Sequence, residues 1–161
     1  MQVIFPGPAL SGHCLLHSSI TTPSDSMRNM EYLSEIKIRG YHADFYGHVN
    51  NARFLEFFEE GRWAKLENVL DLRQLVKKGF VFLVVNINVN YRRAVAVGET
   101  VLVGTAVERI GNKSVALKQE IVFKETKEVA ADAIVTFVIQ DVTGKAVLME
   151  GELLQEIRKL E

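Results

Sequence analysis

Residues 42–62 read HADFYGHVNNARFLEFFEEGR, and the fold turns on how this stretch is read. Its first half crowds His42, Asp44, Gly47, His48, Asn50 and Asn51 together, and its second half becomes abruptly amphipathic. Phe54, Phe58, Gly61 and Ala64 recur at i, i+4, i+7 and i+10, with Leu55 and Phe57 widening the stripe. That spacing predicts an α-helix, with Arg53, Glu56, Glu59, Glu60, Lys65 and Glu67 facing water. Asn is a strong helix N-cap and Gly a turn residue, so Gly47, Asn50 and Asn51 mark the point where loop becomes helix. A glycine inside the helix costs about 1 kcal/mol relative to alanine, so Gly61 implies a close neighbour such as a crossing sheet.

Capping accounts for the asparagines but not for Asp44. A free helix N-terminus offers unpaired N–H groups and partial positive charge, suited to a phosphate or to the oxyanion formed when a carbonyl is attacked. Asp44 precedes that point by a few residues. A polarising helix end with a carboxylate beside it is the minimum equipment for hydrolysing an ester or thioester, the carboxylate acting as nucleophile or as general base on water. The bland alternative is that Asp44 is a cap or turn residue. There is no G-x-S-x-G elbow, and the single cysteine, Cys14, lies far upstream.

Outward from this centre, Tyr32–Arg39 alternates as a strand, with Leu33, Ile36 and Ile38 its apolar members. Downstream, after the short apolar and basic segment LDLRQLVKKG, residues 80–95, 99–110, 113–125 and 128–141 are β-rich and joined by turn-forming pieces. Four such strands in succession suggest an antiparallel meander. The expected architecture is α+β: a long central helix wrapped by a five-stranded antiparallel sheet, with a short helix at the C-terminus. In NINVNY, Asn86, Asn88 and Asn90 alternate with Ile87, Val89 and Tyr91, as on a subunit interface, a site wall or a solvated strand face.

The 161 residues suffice for one domain. With 19 Lys and Arg against 20 Asp and Glu, the formal charge is −1. No global field favours nucleic acid or an anionic membrane, so a charged ligand needs a local cluster. No apolar run approaches the roughly 20 residues of a membrane span, and one cysteine suits a reducing, cytoplasmic setting. Residues 1–30 hold all three prolines and no sustained period. They read as a poorly ordered extension before a single domain at 31–161, with Met27 or Met30 a natural alternative start, and with His13, Cys14 and His17 as solvated tail.

The order strand, HADFYGHVNNARFLEFFEEGR, helix, β-rich run resembles the hotdog-fold acyl-CoA thioesterases of the 4-hydroxybenzoyl-CoA thioesterase type, over roughly residues 31–160. Asp44, Gly47 and Phe54 stand where that group carries an Asp, a Gly three residues on and a helix aromatic. His48–Phe54, HVNNARF, is also similar to the HVNN stretch of acyl-acyl-carrier-protein thioesterases. The resemblance implies that Asp44 is the catalytic carboxylate, that the Asn51 N–H meets the thioester carbonyl, and that Gly47 allows close approach. The carrier-protein type implies that His48 and Asn50 belong to the catalytic set. Glu59 falls where relatives often carry a helix acid, although a solvated helix face, or a contact with Arg62, is the simpler reading. Arg92, Arg93, Arg109 and Lys113 are candidates for the phosphates of coenzyme A, ahead of Lys77 and Lys78. His42 reads as structural or solvent-facing.

The resemblance further implies a homodimer or homotetramer with ligand at a subunit interface, and no metal or other cofactor. The expected activity is acyl-CoA hydrolysis to free acid and CoA. The alternatives are an acyl-carrier-protein thioesterase and a non-catalytic acyl-CoA binder. A hydratase on the same fold fits the motif spacing poorly.

Overall fold

The computed structural model describes residues 30–161; His13, Cys14, His17 and Met27 lie outside the described residues. Strand β1 (Glu31–Lys37) leads through a 3₁₀ turn (Gly40–His42) into helix α1 (Asn51–Val69) and a short helix α2 (Leu72–Lys77). Then come β2 (Val81–Tyr91), β3 (Thr100–Ile110), β4 (Ser114–Phe123), β5 (Val129–Gln140) and a terminal helix α3 (Gly151–Arg158).

The strands form one antiparallel sheet in the order β1-β3-β4-β5-β2. The expected meander therefore holds only for β3, β4 and β5. Instead of pairing with β3, β2 crosses to the far side of β5, and β1 takes the place beside β3. Strand β2 stops at Tyr91 because the N–H groups of Arg92 and Arg93 both turn onto the Ala130 carbonyl.

One face of the sheet closes on α1. Phe54, Phe57 and Phe58 bury against Val101, Val103 and Ile121, each aromatic contributing about 1.5–3 kcal/mol by leaving water. A second apolar cluster joins Leu66, Leu70 and Leu75 to Phe137, Ile139, Leu153 and Ile157, so α2 and α3 seal the other end. Gly61 lies where α1 crosses β3, as its place in the helix implied: a Cβ there would stand 2.5 Å from Val103 Cγ1. Lys65 departs from expectation. It is buried and its ammonium meets Glu31 at 2.8 Å, because β1 passes over that face of the helix.

Strand β2 carries a bulge at Val85, between the pairs Val84↔Phe137 and Asn86↔Thr136. The extra residue resets the alternation, so that Phe82 and Val84 share a face with Ile87, Val89 and Tyr91, opposite buried β5 residues. Asn86, Asn88 and Asn90 sit across from Thr136, Ile134 and Asp132 on the other face. Among the described residues, no helix is long and apolar enough to cross a membrane.

Candidate active site

The loop before α1 is tied at both ends. The Asp44 N–H donates to the His48 carbonyl at 2.9 Å and the Gly47 N–H to the Asp44 carbonyl at 3.0 Å, closing a tight turn with Gly47 at φ +79°. That left-handed backbone suits glycine and strains other residues. The Tyr46 N–H donates to Asp44 Oδ1 at 2.9 Å, so the turn-residue reading of Asp44 is realised at one oxygen, while the side chain remains exposed.

Asn50 is the N-cap: its Oδ1 accepts the Ala52 N–H at 2.9 Å and its carbonyl the Arg53 N–H at 2.9 Å. Among the described residues, these bonds leave the Asn51 N–H as an unspent donor of the first turn. No acidic side chain occupies that turn to compete with an incoming oxyanion. The Tyr91 hydroxyl donates to the Asn51 carbonyl at 3.1 Å and its ring meets Phe54 edge-on, pinning the end of β2 to the start of α1.

A cleft of about 340 Å³ results, lined by Asp44, His48, Asn51, Phe54, Tyr91, Arg92 and Arg93 among others. Six of the residues picked out in the sequence thus converge. Tyr91 was noted there only as an apolar strand member; the sole signal for it was its place at the end of the NINVNY alternation. Gly47 and Asn50 shape the loop behind the cleft.

Glu59 and Lys113 stand elsewhere. Glu59 lies about 12 Å further along α1, at the rim of a second cavity of about 250 Å³. Its carboxylate accepts the Trp63 indole N–H at 3.3 Å, while Arg62 turns inward to Gln119 instead of pairing with Glu59. Lys113 precedes β4, whose first residue pairs with Val138, whereas Arg92 and Arg93 bond to Ala130 of the same β5. The two ends are about 26 Å apart along the strand, so Lys113 lines a separate cavity beside α3.

Both cleft arginines have carboxylate partners. Arg92 forks onto Asp132, which also accepts from Asn90 Nδ2 at 2.9 Å, and Arg93 pairs with Glu128 while lying over the Phe123 ring. Burial pushes the Asp132 carboxyl up, and the hydrogen bonds from Arg92 and Asn90 more than reverse this, holding it below its usual value. Arg92 Nη1 makes no hydrogen bond within the described residues and stays available to a ligand.

His42 is buried rather than solvent-facing. Its Nδ1 accepts the Arg39 N–H at 3.0 Å, its carbonyl accepts the Asn50 N–H at 3.0 Å, and its ring meets Phe57 edge-on. Burial lowers its pKa from 6.5, and Arg53 and Arg39 add to the shift against the opposing effect of Glu56. A depressed histidine means that the unfolded chain binds more protons, so stability falls as pH drops below about 6.5 towards the folded value. The melting temperature is expected to decline over that interval, and less steeply in His42→Asn, whose amide oxygen can accept the Arg39 N–H without titrating. Parallel curves for the two proteins would remove His42 as the cause.

The five-stranded antiparallel sheet closed on α1 is a hotdog fold, and its relatives are thioester hydrolases. The sequence matches the family described as Thioesterase-like superfamily over residues 38–157, and the chain belongs to that superfamily. It is 42% identical to the long-chain acyl-CoA thioesterase FadM of Escherichia coli, over 79% of this chain and 97% of that one. It is 25% identical to the putative esterase sll0410 of Synechocystis, over 89% and 86%. Among solved structures, YbaW, a probable thioesterase from Escherichia coli, superposes with a TM-score of 0.75 at 42% identity, covering 79% of this chain and 96% of that one.

Proposed function

We propose that the protein hydrolyses long-chain acyl-CoA to free acid and CoA in the cytoplasm, with Asp44 as the catalytic carboxylate. The observation that carries this reading is the unspent Asn51 N–H at the capped start of α1, in the same cleft as the exposed Asp44 carboxylate. The thioester oxygen takes the Asn51 donor, so charge developing on it is stabilised by the N–H and the helix end. Asp44 Oδ1 stays with Tyr46, and the other carboxylate oxygen either withdraws a proton from water or attacks the carbonyl itself. Coenzyme A thiolate leaves; in the water route the acid forms at once, and in the attack route water opens the acyl–Asp44 anhydride to release the acid and restore the carboxylate. Arg92 and Arg93 flank the coenzyme's phosphates at the rim, and His48 orients water. The long-chain preference is drawn from the likeness to FadM.

The test is thiol release from a panel of acyl-CoAs, from benzoyl to palmitoyl. Turnover rising with chain length supports the reading, and a panel bound but unhydrolysed would make the protein a binder.

The active unit in this reading is a homodimer built on β2. Among the described residues that strand has an unpaired edge along all eleven residues, with Leu83, Val84, Val85 and Ile87 exposed, a surface isolated sheets rarely leave open. Two copies paired edge to edge would give one ten-stranded sheet, and two such dimers the tetramer. Val85→Lys is expected to shift the protein to monomer in light-scattering chromatography and to reduce turnover. An unchanged mass would rule out this edge as the interface.

A further inference from the structure

One polar group is buried beside the second cavity without a task in the mechanism. Arg62 is only 8% exposed, yet it has no carboxylate within ion-pair distance among the described residues. Its one hydrogen bond runs from Nη1 to Gln119 Oε1 at 3.1 Å. Gln119 is fixed in that orientation, because its Nε2 already donates to the Phe58 carbonyl at 2.9 Å and to Thr105 Oγ1 at 2.8 Å. Glu59, three residues back, reaches Arg62 only through its field, while burial holds the guanidinium below its usual pKa. Every sealed side-chain nitrogen and oxygen among the described residues has a partner, so the remaining guanidinium donors are not sealed, and Arg62 lines the cavity. Apart from Glu59 at its rim, the rest of that cavity is apolar, walled by Trp63, Leu66, Phe82 and Phe137. A cation with free donors in an apolar chamber calls for an acceptor from outside the chain.

The cavity and the cleft are lined by different residues but lie along the same helix. Arg62 is eleven residues from Asn51, about three helical turns, so the two lie on one flank of α1 about 16 Å apart. The inner face of β2 runs beside that flank, with Tyr91 at the Asn51 end and Phe82 at the Arg62 end. In the acyl-CoA reading, a chain that leaves the Asn51 end along this flank runs towards Arg62.

We propose that Arg62 is a specificity-determining residue that binds an oxygen carried near the far end of a long acyl chain: a hydroxyl, a carbonyl or a carboxylate. The inference rests on the acyl-CoA reading above and adds a substrate class to it. A plain chain leaves the guanidinium donors facing methylenes, whereas an oxygenated chain restores what burial removed.

The experiment compares kcat/KM for tetradecanoyl-CoA with its ω-hydroxy and ω-carboxy forms, in the native enzyme and in Arg62→Gln. The glutamine keeps a donor for Gln119. The native enzyme is expected to favour at least one oxygenated chain by roughly tenfold, through KM, and in Arg62→Gln the ratio should collapse towards one. The three chains distinguish charge recognition, which favours carboxylate alone, from neutral hydrogen bonding. A native ratio of one overturns the proposal, and so does a variant that loses activity equally on all three, which marks Arg62 as structural. If no acyl-CoA is hydrolysed, the proposed function falls. The same ratio is then read by calorimetric binding of alkyl-CoA thioethers with the three tails, where equal affinities overturn the role of Arg62.

Discussion

Asp44→Asn is expected to lower kcat by about two to four orders of magnitude on the best acyl-CoA while leaving the fold unchanged. The separation of the two effects follows from the loop geometry. The carboxylate's structural duty is to accept the Tyr46 N–H at Oδ1, and an asparagine oxygen accepts it equally well. The turn is otherwise held by backbone, through Asp44 N–H to His48 and Gly47 N–H to Asp44, so neither bond is touched. Only basicity and nucleophilicity are removed. Oligomer mass and melting temperature should match the native protein, and thiol release should collapse. Single-turnover hydrolysis by the native enzyme in ¹⁸O-water then tests direct attack: label entering the Asp44 carboxylate identifies an anhydride opened by water at the Asp44 carbonyl, and label confined to the product acid excludes that route. Native-like turnover by the variant would remove Asp44 from the mechanism and bring His48, which lines the same cleft, forward.

The parts of the molecule legible in the sequence are those governed by local rules. The helix, its asparagine cap and the terminal helix follow from spacing and cap chemistry, and the five strand segments from β-branched runs, with ends displaced by a residue or two except in β2, which stops four residues short of Val95. The partner of β2 was not legible, because pairing depends on which apolar face meets which across long loops, and neighbouring strands pair only as a tendency. On a helical wheel Lys65 looked like a surface charge and Arg62 like a contact for Glu59. Their burial comes from β1 crossing above one and Gln119 reaching up from β4 to the other, both distant in sequence. Lys113 failed for the same reason in reverse: basic turns look alike in a sequence, and only the strand register separates the Arg92 end of β5 from the Lys113 end. Asp44, His48 and Asn51 fall together because they are close in sequence and a single capped turn brings them to one cleft.

Gly61→Ala should destabilise the protein although alanine is the better helix former. Helix propensity alone favours the substitution by about 1 kcal/mol. Against it stands the added methyl, 2.5 Å from Val103 Cγ1, 3.1 Å from Val103 Cβ and 3.4 Å from Thr105 Oγ1. A β-branched side chain in a buried strand has little rotamer freedom, and Val103 is fully enclosed, so it cannot swing aside. Thr105 is held in turn as the acceptor of Gln119. The clash is therefore relieved only by lifting α1 from β3, which loosens the aromatic cluster of Phe57 and Phe58. Overpacking of this kind costs about 1–3 kcal/mol, and with the close contact it outweighs propensity. A net loss of about 1–2 kcal/mol corresponds to a melting temperature lower by roughly 2–8 °C in a protein of this size. Val103→Ala supplies the decisive control: alone it opens a cavity and destabilises, but with Gly61→Ala it vacates the space the new methyl needs. The double variant should be more stable than the sum of the single changes predicts, and strict additivity would mean that Gly61 is not held by the crossing with β3.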